Sequence, residues 1–183
     1  GEKGILNDND RVVVGNSNPD FIFGLSQTFR YKQFDLSFLI QGVYGNDVIN
    51  TLKYNFESNL GQSNNTTWKA YNNAWRGEGT SNSHPKIIES NKRVVYFSDR
   101  YVEDGSFLRL KNLNIGYNVS LKKNSLIQSL RVSFIATNLF TITDYSGYDP
   151  EVNGFGSDPS RRGVDLGNYP NCRTFSLGVN AVF

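Results

Sequence analysis

The stretch that decides the fold is TFSLGVNAVF, residues 174–183. Apolar side chains recur at every second position up to Phe183, and the positions between them from Thr174 to Asn180 are polar or glycine. Successive side chains of a β-strand point to opposite faces of its sheet. A period of two therefore predicts a strand over about 173–183 with one apolar and one polar face.

Two segments near the start of the chain show the same alternation. It predicts strands over about 20–31 and about 34–44, although Leu39 and Val43 interrupt the polar face of the second. Only Lys32-Gln33 separates the two segments, so together they predict an antiparallel hairpin.

Two further segments bring the total to about five strands. They cover about 107–120 and about 129–140, and their order along the chain suggests that they pair with each other. Leu108 and Leu110 have the opposite parity to the apolar residues that follow them. A switch of parity within one strand predicts a β-bulge, here near Lys111.

The connections between these strands alternate in length. Lys32-Gln33 and a turn near 121–129 are short, whereas loops over about 45–104 and about 141–172 are long. Antiparallel order places both short turns at one end of the sheet and both long loops at the other. That asymmetry is typical of outer-membrane barrels with periplasmic turns and extracellular loops, and strands of about ten residues suit their tilted span.

The predicted number of strands, about five, is odd and indicates that the chain is part of a larger barrel. Single-chain bacterial barrels have an even number of strands and must close, because unpaired backbone groups at an edge are costly in hydrocarbon. The predicted fold class is therefore all-β, an antiparallel transmembrane barrel to which this chain contributes about five strands. We expect the earlier strands to come from another part of the same polypeptide.

Composition narrows the alternatives. Net charge is +2, from 19 Lys and Arg interspersed with 17 Asp and Glu, and without a basic tract nucleic-acid binding has no support. No run approaches the roughly 20 apolar residues of a spanning helix. Pattern alone leaves open a soluble antiparallel sandwich. A polar loop of roughly sixty residues is uncommon in compact soluble domains, which disfavours that alternative.

Catalytic and metal-binding chemistry have little support. Cys172 and His84 are the only residues of their types, too few for a Cys/His metal site. The acidic loop residues lack the ligand spacing of a calcium loop. These are Asp149, Glu151, Asp158 and Asp165. An outer-membrane hydrolase would need a nucleophile beside His84, and no Gly-x-Ser-x-Gly pattern occurs. We predict no catalytic residues, no metal and no cofactor.

Four blocks of sequence carry a specific resemblance. They are RVVVGNSNPDF (11–21), FDLSFLIQG (34–42) with Gly45-Asn46-Asp47 after it, RYVEDGSFLRLKNL (100–113) leading into Gly116-Tyr117, and the tail. The tail contains Asn138-Leu139-Phe140, YSGYDPE (145–151), Gly163-Val164-Asp165, Tyr169-Pro170, Arg173-Thr174-Phe175 and Gly178. In order and spacing the blocks resemble the C-terminal barrel segment of SusC/RagA-family TonB-linked outer-membrane transporters of Bacteroidetes-type bacteria.

The resemblance implies an active importer of glycans or peptides in the Gram-negative outer membrane. It implies a barrel of roughly 22 strands with a plugged lumen, energised by the TonB complex through an N-terminal TonB box. Neither plug nor TonB box is expected within residues 1–183. The implied partners are a SusD-like surface lipoprotein, the barrel-assembly machinery and outer-membrane lipid. A passive porin-type channel shares every strand feature and remains an alternative.

Several residues are candidates for particular roles. Polar strand residues are expected to face the lumen, namely Ser26, Thr28, Gln41, Asn114, Ser133 and Thr137. Apolar ones are expected to meet lipid, namely Phe23, Leu25, Phe38, Leu177 and Val179. Trp68, Tyr71 and Trp75 are candidates for substrate binding by ring stacking, although loop aromatics also pack their own loop or a capping partner. Phe183 is a candidate assembly signal. The basic pairs are expected to be solvated, namely Arg109 with Lys111, and Arg161-Arg162.

Overall fold

The computed structural model of the chain describes residues 7–58, 65–87, 97–121, 126–151, 154–156 and 158–183. Two compact units divide the chain. The sheet unit comprises Pro19–Asn46, Asp104–Glu151 and Tyr169–Phe183, and the loop unit comprises Gly1–Asn18, Asp47–Glu103 and Val152–Asn168.

Strands dominate the secondary structure. In chain order they are β1 (Phe21–Tyr31), β2 (Phe34–Tyr44), β3 (Asp47–Asn50), β4 (Val102–Asp104), β5 (Phe107–Val119), β6 (Ser129–Thr143), β7 (Val164–Asp165) and β8 (Thr174–Val182). Helices α1 (Thr51–Glu57) and α2 (Trp68–Asn72) and 3-10 turns at Asp8–Asp10, Asp99–Tyr101 and Pro159–Arg161 complete the elements. None of the helices in the described ranges is both long and apolar enough to cross a membrane.

The sheet unit is one five-stranded sheet with the order β1-β2-β5-β6-β8. Every neighbouring pair is antiparallel, which confirms the predicted fold class. The hairpin turn is Lys32-Gln33, and Lys32 has a left-handed backbone with φ of 54°. The strand predicted to end near residue 140 continues to Thr143. Most of the turn predicted near 121–129 lies outside the described residues.

One face of this sheet is apolar across all five strands. A single cross-strand row joins Phe29 to Leu36, Leu36 to Ile115, Ile115 to Phe134 and Phe134 to Leu177. Leu177 is 81% exposed, and Phe29 is also exposed. A soluble sandwich buries such a face against a second sheet, whereas an outer-membrane barrel turns it to lipid.

The opposite face is polar. The adjacent row joins Thr28 to Ser37, Ser37 to Asn114, and then passes through Ile135 to Ser176. Ile135 is the apolar exception in this row, and Leu39 and Val43 also lie on this face. The register confirms that the six predicted lumenal residues share this face and that the five predicted lipid-facing residues share the other.

The predicted β-bulge at Lys111 is confirmed. Asn112 pairs with Thr137 and Leu110 pairs with Phe140, so Lys111 has no partner in the ladder between β5 and β6. The ladder between β2 and β5 shifts at the same place. Lys111 is the extra residue of β5, and it shifts the alternation of the strand by one position. The apolar side chains before and after it therefore lie on the same face.

The loop unit includes most of the long loop predicted over about 45–104, and this loop contains strands and short helices. Its strands β3 and β7 pair in parallel, and α1 follows β3 directly. Asn50 caps α1 by accepting a hydrogen bond from the backbone of Lys53 at 2.9 Å, as side chains at helix N-termini commonly do. Val48 and Tyr101 are buried, and the Tyr101 ring packs edge-on against Tyr54. This unit therefore has a small core of its own.

Candidate functional site

Arg109 of β5 is buried on the polar face of the sheet and is fully engaged. Its side chain is 2% exposed. Its guanidinium donates to Asp149 Oδ1 at 2.5 Å, to Glu151 Oε2 at 2.7 Å and to Thr141 Oγ1 at 2.9 Å. The expectation that Arg109 is solvated is therefore wrong, because two carboxylates from a later loop replace its water.

A second loop segment joins the same network. The backbone amide of Asn171 donates to Asp149 Oδ2 at 3.0 Å, and its side-chain amide donates to Glu151 Oε2 at 3.2 Å. Lys111, placed beside Arg109 by the bulge, lies 3.2 Å from both Glu151 carboxylate oxygens. Two separate loop segments are thus held against β5. We call this set of five side chains, Arg109, Lys111, Asp149, Glu151 and Asn171, the loop anchor.

The pKa of Asp149 lies below its usual value. Burial of the carboxyl acts to raise that pKa, but hydrogen bonds from the backbone of Glu151, from Arg109 and from the backbone of Asn171 outweigh burial. The anchor therefore holds Asp149 as a carboxylate, which suits its role as the partner of a guanidinium.

A cavity of about 350 Å³ opens beside the loop anchor. Its lining includes Asn138, Thr141, Tyr148, Pro150, Pro170 and Arg173. Asn138 interrupts β6 with a left-handed backbone, at φ of 49°. A residue other than glycine rarely has a positive φ, so Asn138 is a local irregularity in β6.

A second cavity, of about 430 Å³, lies on the polar face near the hairpin turn. Arg131 spans it and donates to both oxygens of Asp35, at 2.6 and 2.7 Å. A Cβ on Gly116 would lie 2.7 Å from Asp35 Oδ1 and closer still to Arg131. Glycine at this strand position therefore leaves the room that the bidentate ion pair occupies.

The three aromatic candidates of the long loop all lie in the loop unit and differ in exposure. Trp68 is 80% exposed and meets the Tyr71 ring edge-on at 5.9 Å. The guanidinium of Arg76 lies over the Tyr71 ring, 5.0 Å from its centroid. Trp75 is less exposed, and its backbone amide donates to the carbonyl of His84 at 3.0 Å. Trp68 thus offers the most open ring, and Trp75 belongs more to the loop itself.

His84 is a buried structural residue. Its Nε2 lies 3.4 Å from Glu57 Oε2, and its Nδ1 lies 3.2 Å from Ser83 Oγ. Burial lowers the pKa of His84, the charge of Arg100 lowers it further, and the hydrogen bond with Glu57 partly opposes both. The imidazole is therefore neutral at pH 7 and links α1 to the segment after α2.

The remaining candidates are dispersed. Phe183 follows β8 and is 77% exposed. Arg161 forms an ion pair with Asp158 at 3.5 Å. Hydrogen bonds from Ser160 lower the pKa of Asp158. Asp165 is buried within the loop unit. Within the described residues no group of three or more His, Cys, Asp or Glu side chains is arranged to hold a metal.

In comparisons with known proteins, the chain is similar to several TonB-dependent receptors. No protein-family model matches the chain. It is 38% identical to the TonB-dependent receptor P3 of Formosa agariphila over 95% of this chain and 17% of that protein. It is 29% identical to the TonB-dependent receptor SusC of Bacteroides thetaiotaomicron over 98% of this chain and 17% of that protein. The chain thus spans less than a fifth of the length of these curated relatives.

Solved structures agree. The chain superposes on the RagAB peptide importer in its closed-closed state with a TM-score of 0.73 and 28% identity, covering 92% of this chain and 18% of that one. For the open-open state the TM-score is 0.72 and the identity 29%, over 91% and 17%. An antiparallel sheet with one open apolar face and one polar face is, with these neighbours, part of the wall of a transmembrane β-barrel. The chain belongs to the SusC/RagA family of TonB-dependent receptors.

Proposed function

We propose that the chain forms part of the barrel wall and the extracellular loops of an outer-membrane, TonB-dependent importer of glycans or peptides. The observation that carries the proposal is the two-faced sheet, apolar on one side across five strands and polar on the other. Its apolar face meets lipid and its polar face lines the lumen. The names of the similar TonB-dependent receptors and of the RagAB peptide importer support the transport role.

Energy coupling belongs to other parts of the polypeptide in this proposal. A plug domain and a TonB box receive energy from the TonB complex, whereas the present residues supply wall and loops. A SusD-like surface lipoprotein captures substrate and meets the long loops. The loop unit supports this assignment, because a folded loop with its own buried core offers a firmer docking surface than a flexible one.

The test compares uptake by the complete transporter in cells with and without a functional TonB complex. We expect uptake of a growth-supporting oligosaccharide or peptide to require both the transporter and TonB. Uptake that continues without TonB would indicate the passive porin. Binding and uptake that need no surface lipoprotein would remove the SusD-like partner from the proposal.

Phe183 serves barrel assembly in the same proposal. It follows an alternating strand and is exposed, so little packing is lost when it is removed. Deleting Phe183 from the complete transporter is expected to lower its level in the outer membrane several-fold, as measured by immunoblot of membrane fractions. The deletion of exposed Phe155, a loop aromatic, is the control. Equal levels of the Phe183 deletion and the wild type would rule out the role.

A further inference from the structure

Gln27 is a polar exception on the apolar face of the sheet. It shares the alternation of Leu25 and Phe29 and lies directly opposite Phe38 of β2. The rings of Phe29 and Phe38 lie on this face, 6.2 Å apart. Gln27 is exposed, and its side chain forms no hydrogen bond with any residue that the structure describes. The amide of Gln27 therefore lies open on the face that meets lipid in the barrel.

Two aromatic levels bound this face, and Gln27 lies between them. Near the long loops, Phe21 stacks on Tyr44 with ring centroids 5.1 Å apart. Near the hairpin turn, Tyr31 lies opposite Phe34. Aromatic residues of this kind flank the lipid-facing band of membrane barrels. Gln27 is six residues after Phe21 and four before Tyr31, which is roughly 10–15 Å from either level in a tilted strand. At that depth the amide meets hydrocarbon, which offers it no hydrogen bond.

The free edge of β1 is where a partner for this amide can lie. Among the described strands β1 pairs only with β2. Unpaired backbone groups along a strand edge are costly in hydrocarbon, so a further strand has to pair with β1 in the closed barrel. We expect that strand from an earlier part of the same polypeptide, because the sheet joins its strands in chain order and the chain spans less than a fifth of its curated relatives. Its residue opposite Gln27 has a Cβ about 4.5–5.5 Å from that of Gln27.

The alternation of side chains leaves the register of this edge undecided. A slip of one residue would turn the apolar side chains of the neighbouring strand to the lumen, so the alternation excludes it. A slip of two residues keeps both faces correct. Elsewhere in the sheet, the two-residue hairpin fixes β1 on β2, and the bulge at Lys111 fixes β5 between its neighbours. β1 pairs with β2 without any bulge, so its free edge needs another feature to fix the register.

We propose that Gln27 fixes the register of the free edge of β1 by pairing with an outward-facing hydrogen-bonding side chain of the preceding barrel strand. The partner is Ser, Thr, Asn or Gln, whose hydroxyl or amide forms a hydrogen bond with the Gln27 amide. In the correct register the two polar groups satisfy each other. A slip of two residues places each of them against an apolar side chain in hydrocarbon, where an unpaired amide is strongly disfavoured. The proposal requires the barrel and not transport, so uptake measurements leave it untouched.

The other free edge of the sheet lacks such a residue. The residues of β8 on the apolar face are Phe175, Leu177, Val179 and Ala181. The two edges therefore differ, and β1 is the one that calls for a polar neighbour. A second copy of the transporter would reach Gln27 by packing on the outer face of the barrel. A strand beside β1 is needed in any closed barrel, which favours that strand as the source of the partner.

The first experiment measures the register of this edge in the complete transporter with Gln27 intact. Thr28→Cys, on the lumenal face, is combined with single cysteines at successive lumenal positions of the preceding strand, in a background free of other cysteines. Directly opposed residues have Cα atoms about 4.5–5.5 Å apart, which a disulfide can bridge. The highest disulfide yield in outer-membrane fractions identifies the residue opposite Thr28. We expect the following residue of that strand, which lies opposite Gln27, to be Ser, Thr, Asn or Gln. An apolar residue there would overturn the proposal.

The second experiment moves the amide. In Gln27→Leu we expect the disulfide yield at the positions two residues to either side to rise at least about fivefold, as the loss of one hydrogen bond predicts. Leu25→Gln combined with Gln27→Leu keeps the composition of the apolar face and moves the amide by two residues. In that variant we expect the rise on one side only, in the direction that keeps the amide with its partner. Leu25→Val changes the same position without a polar group and is the control, with an unchanged pattern.

The remaining outcomes decide against the proposal. An unchanged disulfide pattern in Gln27→Leu and in the swapped variant would overturn it, whatever residue lies opposite Gln27. If a second copy covers Gln27, the oligomer seen on native gels would change in Gln27→Leu while the pattern stays the same. Heat-modifiable migration checks that each variant is a folded barrel. The first experiment needs no change at Gln27, so it tests the partner even if Gln27→Leu does not fold.

Discussion

The sheet unit leaves an apolar face open, whereas the loop unit closes a small apolar core. The sheet unit leaves Leu177 and its apolar neighbours open and buries Arg109 with its carboxylate partners on the polar face. The loop unit buries Val48 and Tyr101 in the manner of a water-soluble domain. The two units differ because hydrocarbon meets the apolar face of the sheet, whereas water surrounds the loop unit. An apolar face in contact with hydrocarbon gains nothing from burial.

The largest effect is expected from breaking the loop anchor. Arg109→Ala leaves Asp149 buried without its cation, which costs about 3–5 kcal/mol. We expect the amides of 145–151 and 169–173 to exchange with deuterium far faster in the variant, as measured on the complete transporter by mass spectrometry. Lys111→Ala removes a partly exposed partner of Glu151 and is the control, with an expected cost of about 0–1 kcal/mol.

Protection that stays at the wild-type level in Arg109→Ala would contradict this account. The two loop segments would then be held by contacts other than the anchor. A loss of protection spread over β5 and β6 would instead show that the buried charge network stabilises the sheet itself.

The next effect separates the two faces of β8. Leu177→Arg places a charge on the apolar face and is expected to cost about 2–4 kcal/mol near the membrane midplane. Ser176→Arg changes the neighbouring residue, which points to the polar face opposite Ile135, and is expected to be tolerated. The measurement is the amount of heat-modifiable barrel in the outer membrane, and equal losses in both variants would contradict the assignment of the faces.

A smaller effect is expected at Gly116. An alanine Cβ there would collide with the ion pair of Asp35 and Arg131, and overpacking of this kind costs about 1–3 kcal/mol. Gly24→Ala is the matched control, because its Cβ would have only an ordinary contact at 3.9 Å. Urea unfolding of the refolded barrel measures both. Equal urea midpoints for the two variants would show that the Arg131 side chain moves away without loss of stability.

The sheet could be predicted from the sequence because its period is local. Alternation identifies a strand wherever one face is apolar, and the parity switch around Lys111 even revealed the bulge. The helices of the loop unit could not be found this way. At seven and five residues, α1 and α2 are shorter than the window in which helical periodicity can be recognised. Their caps, Asn50 and Thr67, were the available signals.

The loop anchor was beyond prediction for a different reason. Arg109 is 40 residues from Asp149 and 42 from Glu151, and no local pattern indicates which loop returns to which strand. The sequence shows basic and acidic residues, whereas their pairing depends on where the loop folds. Asn138, an asparagine inside a strand pattern, was the one local clue to an irregular backbone beside the cavity.

The smallest effect on stability is expected at Trp68, and that makes it the cleanest probe of loop function. An indole that is 80% exposed contributes little to folding, so Trp68→Ala is expected to change stability by no more than about 0.5 kcal/mol. Trp75→Ala, at a less exposed position, is the comparison. Association with the surface lipoprotein is measured by co-purification, and substrate uptake is measured separately. If Trp68 contacts the surface lipoprotein, Trp68→Ala is expected to weaken association while uptake at a saturating substrate concentration stays unchanged. If the ring contacts substrate, uptake falls while association stays intact, and an effect on neither would exclude both roles for this residue.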